Sequence, residues 1–216
     1  HEIRNPLTPI QLSAERLAWK LQDKLDTKDA QILTKSTDTI IKQVAALKEM
    51  VEAFRNYARA PRLKLTETNL NALVSEVLVL YESSPCQFIA DFSPNPAWIK
   101  ADTTAMRQVL HNLFKNAAEA AESDPQPETH IQILVHETTI SLTVTNNGKS
   151  FTPQMLQNAF EPYVTDKPAG TGLGLPVVKK IIEEHGGHIS IANQIPSGAN
   201  ISITLPKITT TEAENS

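Results

Sequence analysis

The sequence predicts an α+β chain: a long helical hairpin, then a region of mixed helices and strands with a largely antiparallel sheet. Three observations predict it. Of 14 prolines, none falls between Pro9 and Pro61, and that stretch also lacks glycine. Such a gap favours long uninterrupted helices. Apolar residues within it recur at alternating spacings of four and three, the mark of a heptad seam. Beyond Pro61, β-branched runs and helical patterns mix without a steady βαβ rhythm.

The first seam runs through Ile3, Leu7, Ile10, Ala14, Leu17 and Leu21. The second runs through Leu33, Thr37, Ile40, Val44, Leu47, Val51, Phe54 and Ala58. The polar segment Asp23 to Lys28 turns the chain between them. Two helices with a narrow seam bury little alone, so a second copy is expected to complete a four-helix bundle as a homodimer. Ala60-Pro61-Arg62 ends the second helix. The hairpin is thus expected over 1–60, a linker over 61–67 and a second domain over 68–206.

In that second domain Asn69 to Glu82 reads as an amphipathic helix. Phe88 to Phe92 and Trp98 to Ala101 read as strands set apart by Pro94 and Pro96. Asp102 is the expected N-cap of a helix from Thr103 to Glu122. His130 to His136 and Ile140 to Thr145, both β-branched, read as a hairpin. A glycine- and proline-punctuated stretch follows to Thr171. Leu173 to His185 reads as a helix with Gly186 past its end, and His188 to Ala192 and Ala199 to Leu205 as two last strands. The polar tail, 207–216, is expected to be disordered.

Composition excludes several classes. The net charge of −4 offers no basic excess for nucleic acid or an anionic membrane. No apolar run approaches the roughly 18 residues of a membrane span; the longest lies around Val77 to Tyr81. Cys86 is the sole cysteine, which fits a reducing compartment and an inert buried thiol. No cluster has transition-metal spacing. A chain that opens on His1 rather than Met is expected to be a piece of something longer, with any membrane spans upstream.

Four motifs carry chemistry, and each has a bland alternative. His1-Glu2-Ile3-Arg4-Asn5-Pro6 sets an imidazole beside a carboxylate at the start of a seam. Imidazole is a nucleophile near neutral pH, and the carboxylate can take its proton. The same residues could be a solvated helix start. Asn112-Leu113-Phe114-Lys115-Asn116 places two amides on one helix face. Their oxygens suit Mg²⁺ and their nitrogens suit phosphate, unless the pair is merely an exposed polar face. Gly170-Thr171-Gly172-Leu173-Gly174-Leu175 runs straight into a helix, where backbone amides can meet a phosphate, with Lys167 just upstream. It is neither a Walker loop nor a Rossmann turn, and alone it could be only a turn. Asn146-Asn147-Gly148-Lys149-Ser150 follows a strand as a turn or as a contact to a purine edge.

In order and spacing these motifs resemble the boxes of sensor histidine kinases. His1 to Pro6 resembles the H box, Asn112 to Ala117 the N box and Asn146 to Ser150 the first glycine box. Phe160-Glu161-Pro162-Tyr163 resembles the F box that opens the ATP lid, and Gly170 to Leu175 the second glycine box. Asn116 to Ala120 and Phe160 to Leu175 look most similar to nitrogen-regulation kinases of the NtrY kind. The resemblance implies a dimerisation and phosphotransfer hairpin followed by a two-layer α/β sandwich of the histidine kinase, Hsp90 and gyrase type. It implies ATP and Mg²⁺, with Asn116 on the metal, Asn112 and Lys115 beside it, and Lys167 and the amides of Gly172 to Leu175 on phosphates. It implies that His1 attacks the γ-phosphate with Glu2 as base, and that the phosphoryl group passes to an aspartate of a response-regulator receiver domain. Asn5 matches the position that orients water for dephosphorylation. The parent would then be a bacterial inner-membrane protein, and this chain its cytoplasmic portion.

One position departs from the pattern. Asn146 stands where the family usually carries Asp, whose carboxylate accepts a hydrogen bond from the adenine amino group, and Ser150 stands where it carries glycine. The amide keeps an acceptor but loses the charge, an expected weakening of ATP binding by about 1–3 kcal/mol. Two alternatives follow: a regulator phosphatase or docking module with impaired ATP use, and an ATPase of the gyrase or Hsp90 type without a phosphohistidine.

Overall fold

The computed structural model describes residues 4–58, 63–167 and 170–208. Helix α1 spans Arg4–Leu21 and helix α2 spans Thr27–Ala58, joined by a 3-10 turn over Gln22–Lys24. Asp26 starts α2, its side chain accepting from the Asp29 N–H at 2.9 Å. Pro9 sits inside α1, where its missing N–H leaves the Asn5 carbonyl without its i+4 donor.

The seam of the hairpin divides into two stripes. Leu7 and Ala14 of α1 are buried against Thr37 and Val44 of α2. Lys48 Nζ donates to Gln11 Oε1 at 2.7 Å along the same contact. The alternate seam positions face outward: Ile10 and Leu17 are 46% and 51% exposed, Ile40 and Leu47 42% and 45%.

The second part begins with β1, Thr66–Asn69, which pairs antiparallel with β3, Trp98–Ala101, as a separate two-stranded sheet. Thr66 and Glu67, expected in the linker, are thus already in β1. The run is all polar, so no apolar alternation marks it. Helix α3, Leu70–Leu78, follows at once, capped by Asn69, and continues as a 3-10 turn over Val79–Tyr81. The main sheet contains β2 (Gln87–Phe92), β4 (Glu128–Val135), β5 (Thr139–Asn146), β6 (His188–Asn193) and β7 (Ala199–Pro206). Its order is β2-β4-β5-β7-β6; β2 runs parallel to β4 and the other pairs are antiparallel.

Helices α4 (Thr103–Ala121) and α6 (Gly174–Glu184) cover one face of this sheet. Along β4, Thr129, Ile131 and Ile133 are buried and their neighbours are not. That alternation is expected of a sheet with one wet face. The core joins Ile131, Ile133, Leu142, Val144 and Ile203 to Leu110, Leu113, Phe114 and Ile182 of the helices. Helix α5, Pro153–Asn158, lies within the glycine- and proline-punctuated stretch, to which the sequence assigned no element; Thr152 caps it and Pro153 opens it. Cys86 is buried, and burial pushes its thiol pKa up. Lys207 still bridges Ile99, and the Ile208 N–H donates to the Trp98 carbonyl. The chain therefore stays paired two residues past the expected boundary at 206. Residues 209–216, the rest of the expected tail, lie outside the described residues.

Candidate functional site

Helix α4 is fixed at both ends. Asp102 accepts from the Thr104 and Ala105 N–H groups, at 3.0 and 3.1 Å. A bond from the Lys64 N–H, together with these two, holds its carboxyl below the usual Asp range. The Asp102 N–H itself donates to His185 Nε2 at 3.0 Å. At the far end the Ala120 carbonyl accepts from the Lys149 N–H at 2.8 Å. With Leu110, Leu113, Phe114 and Ala117 turned into the core, Asn112 and Asn116 lie half-buried at the edge of the buried face, while Lys115 and Glu119 are exposed.

Helix α6 starts beside them. A Cβ on Gly174 would stand 3.6 Å from Asn116 Nδ2, so the first turn of α6 faces the second asparagine of α4. Leu173 and Leu175 are buried, so their side chains serve packing. Thr171 Oγ1 accepts from the Leu173 N–H at 3.4 Å, and Pro176 has no N–H. Helix geometry leaves the Gly174 and Leu175 amides without intrahelical acceptors, and they carry the positive end of the helix dipole.

The segment before α6 brings a cation to the same place. Lys167 Nζ lies 3.4 Å from Asn116 Oδ1 and 2.5 Å from Glu119 Oε2. Lys115 is 3.9 Å from the other oxygen of Glu119. The neighbouring Asp166 pairs with Lys149 at 2.7 Å, which lowers the pKa of its carboxyl. Gly170 donates to the Lys167 carbonyl, and a Cβ there would meet Thr165 Oγ1 at 2.5 Å. Tyr163 has φ 67° and Gly172 φ 65°. The Tyr163 N–H donates to the Gly172 carbonyl at 3.0 Å, and a Cβ on Gly172 would lie 2.6 Å from the Tyr163 carbonyl carbon.

At the end of β5, Asn146 follows Leu142 and Val144 on the side facing the helices. It is 3% exposed, and its Nδ2 has no hydrogen-bond partner among the described residues. Gly148 is required by packing: a Cβ there would fall 2.0 Å from the Ala120 carbonyl oxygen. Of the residues picked out by sequence, the structure therefore brings together Asn116, Lys167 and Gly174, with Asn112, Lys115 and Thr171 to Leu175 around them. Gly148 packs against the far end of α4, and Asn146 lies two residues before it at the end of β5. His1 and Glu2 lie outside the described residues, and of Asn5 only the helical backbone is described.

Such a grouping can hold a polyphosphate. Asn116 and Glu119 offer oxygens, the ligand type that Mg²⁺ takes, and the Lys167 ammonium already lies against both. Free helix amides and Lys167 suit the anion. Among the described residues no group of His, Cys, Asp and Glu could hold a transition metal, and no helix is long and apolar enough to cross a membrane.

A family model described as "Histidine kinase-, DNA gyrase B-, and HSP90-like ATPase" matches residues 101–209. A second, "His Kinase A (phospho-acceptor) domain", matches residues 1–62. The chain belongs to the sensor histidine kinases. This histidine kinase is 37% identical to the nitrogen regulation protein NtrY of Azorhizobium caulinodans over 99% of its own length and 29% of that protein's. It is 36% identical to a putative NtrY-like sensor histidine kinase of Rickettsia bellii, over 94% and 33%. The chain thus spans about a third of the curated relatives it matches. Among solved structures, the nucleotide-free catalytic domain of the histidine kinase ThkA matches at 34% identity and TM-score 0.61, covering 67% of this chain and 96% of that one. ThkA in complex with the response regulator protein TrrA matches at 30% and 0.71, covering 96% and 59%.

Sequence reasoning left three residues of this candidate site unassigned. Glu119 lies just past the run quoted as the N box, within Asn116 to Ala120, three residues after Asn116, a spacing that shares a helix face. Lys149 and Asp166 stand 17 residues apart in sequence, and only the fold pairs them. His111, by contrast, points away, its Nδ1 2.9 Å from the Tyr81 hydroxyl. Burial, with a smaller contribution from Glu119, pushes the Tyr81 pKa up to about 12.

Proposed function

We propose that this chain is the ATP-binding and phosphoryl-accepting core of a histidine autokinase. ATP lies between the Asn112–Asn116 edge of α4 and the start of α6. The observation that carries this is the meeting at one point of Asn116 of α4, Gly174 at the start of α6 and Lys167 from the segment before it. Asn116 would hold Mg²⁺, which neutralises charge on the phosphates when bound. Asn112, Lys115 and the Gly174 and Leu175 amides position the phosphates, and Asn146 and Gly148 border the base. Phosphoryl transfer needs mostly positioning and charge neutralisation.

His1 then forms an N–P bond to the γ-phosphorus as the bond from that phosphorus to the β,γ-bridging oxygen breaks and ADP leaves. Glu2 takes the imidazole proton. The phosphoryl group passes on to an aspartate of a response-regulator receiver domain, and Asn5 orients water when that aspartyl phosphate is hydrolysed. Residues 1–60 serve dimerisation and phosphotransfer, and the ATP-binding unit starts at β1. The outward stripe of Ile10, Leu17, Ile40 and Leu47 supports a homodimer. The whole protein is anchored in a bacterial inner membrane with this part in the cytoplasm.

Incubation with γ-labelled ATP and Mg²⁺ tests the proposal. The expected result is alkali-stable, acid-labile label that disappears in His1→Gln. Label that survives His1→Gln would overturn the assignment of His1. A second reading, a regulator phosphatase with feeble ATP use, is favoured by the unpartnered amide of Asn146. It is the reading to adopt if the chain dephosphorylates a regulator but takes up label only as Asn146→Asp.

A further inference from the structure

The Nδ2 group of Asn146 is without a partner among the described residues, at a position whose backbone is held in the sheet. Its backbone is held on both sides, paired with Thr129 of β4 and Ala199 of β7. A Cβ on Gly198 would fall 1.9 Å from its carbonyl oxygen, so that glycine packs directly on it. The next residue shows what a committed amide looks like here. Asn147 Oδ1 accepts from the Glu128 N–H at 2.9 Å, and its Nδ2 donates to the Gln126 carbonyl at 2.7 Å. Across the strand, Thr129 Oγ1 lies 3.3 Å from Cys86 Sγ. Asn146 is itself buried and its Nδ2 has no partner among the described residues; only its side-chain torsions remain free.

An amide carries one acceptor and one donor group, and a half-turn about its last torsion exchanges them. An adenine edge offers a donor at the 6-amino group and an acceptor at N1. A 6-oxopurine edge, as in hypoxanthine or guanine, offers the reverse. A carboxylate has acceptors only, so at the 6-position it matches the amino group of the first and faces acceptor to acceptor on the oxo group of the second. We propose that Asn146 relaxes purine selection, so that the site takes 6-oxopurine nucleoside triphosphates alongside ATP. The inference rests on the nucleotide-site reading above and adds the ligand class to it.

The test is displacement of a fluorescent ATP analogue by ATP, ITP and GTP with Mg²⁺, on the full chain and on Asn146→Asp. For the unaltered chain the dissociation constants of ITP and ATP are expected within about tenfold of each other. In Asn146→Asp, ITP is expected to fall behind ATP by a further factor of about ten to a hundred, the cost of one unmatched buried polar pair. A preference for ATP over ITP of about a hundredfold or more in the unaltered chain overturns the inference but leaves the site reading standing, and this arm does not depend on the variant folding. The same ITP-to-ATP ratio in both proteins also overturns it. Failure of the analogue to bind either protein overturns the site reading and this inference together.

Discussion

Lys167 Nζ is held by Glu119 at 2.5 Å and by Asn116 at 3.4 Å, so the cation proposed to meet a phosphate already has an acidic partner. Both members of the ion pair are more than a third exposed, and such pairs contribute at most about 1 kcal/mol. A phosphate must displace the carboxylate or share the lysine with it. Glu119→Gln is therefore expected to tighten Mg²⁺–ATP binding by up to about fivefold, measured by titration calorimetry. Unchanged or weaker binding would show that Glu119 helps to hold the nucleotide rather than compete with it.

The Asp166–Lys149 pair predicts a pH effect in the same segment. Because pairing lowers the Asp166 pKa, its contribution is present above the ordinary carboxylate range. It is lost as pH falls through the lowered value. Lys149 is 59% exposed, so the effect on global stability is below about 1 kcal/mol. The effect is read locally: Asp166→Asn at neutral pH should speed amide hydrogen exchange over 161–167, and acidification of the unaltered chain should lower the protection factors there, after correction for the intrinsic pH dependence of exchange, with protection in β5 unchanged in both cases. Equal exchange in Asp166→Asn and the unaltered chain would rule out this tether.

His185 joins the C-terminal end of α6 to the start of α4. Its Nε2 accepts from the Asp102 N–H, so Nδ1 carries the proton and donates to the Ile181 carbonyl at 2.7 Å. Removing it orphans a buried N–H. His185→Ala is expected to cost about 1–3 kcal/mol in urea unfolding, whereas His188→Ala, at an exposed position, should stay within about 0.5 kcal/mol. Similar midpoints for the two variants would remove the structural role given to His185.

The outward stripe of the hairpin predicts an oligomeric state. Leu47→Glu places a charge among Ile10, Leu17 and Ile40 of the proposed dimer face and leaves Val44 in the hairpin. Sedimentation velocity should show the unaltered chain as a dimer at micromolar concentration and Leu47→Glu as a monomer with its helical circular dichroism retained. Dimers of Leu47→Glu would place the interface elsewhere.

Most of the architecture was legible because its signals are local. Asp102 reads as a cap from its residue type and place, and the hairpin reads from period and proline spacing. What escaped the sequence has non-local causes. Strand β1 is four polar residues whose identity as a strand comes only from pairing with β3. The parallel pairing of β2 with β4 depends on a crossover that no short pattern encodes. The heptad seam looked like one surface, yet the structure divides it, Leu7 and Ala14 inward, Ile10 and Leu17 outward. At the site the asparagines and glycines were found from motif order. Their ionic neighbours Glu119, Lys149 and Asp166 look like ordinary surface charges until the fold brings them together.

The bond from the Tyr163 N–H to the Gly172 carbonyl pinches the chain before and after the segment that carries Lys167. With both ends clasped, the length of that segment is nearly independent of the sheet behind it. Loop closure grows only with the logarithm of length, about 0.6 kcal/mol for each doubling. Residues can therefore be added after Asp166, or charges exchanged there, while the core keeps its register. The clasp itself tolerates far less: Gly172→Ala sets a methyl group against the Tyr163 backbone at a left-handed φ, and one carbon atom would loosen what several inserted residues would leave intact.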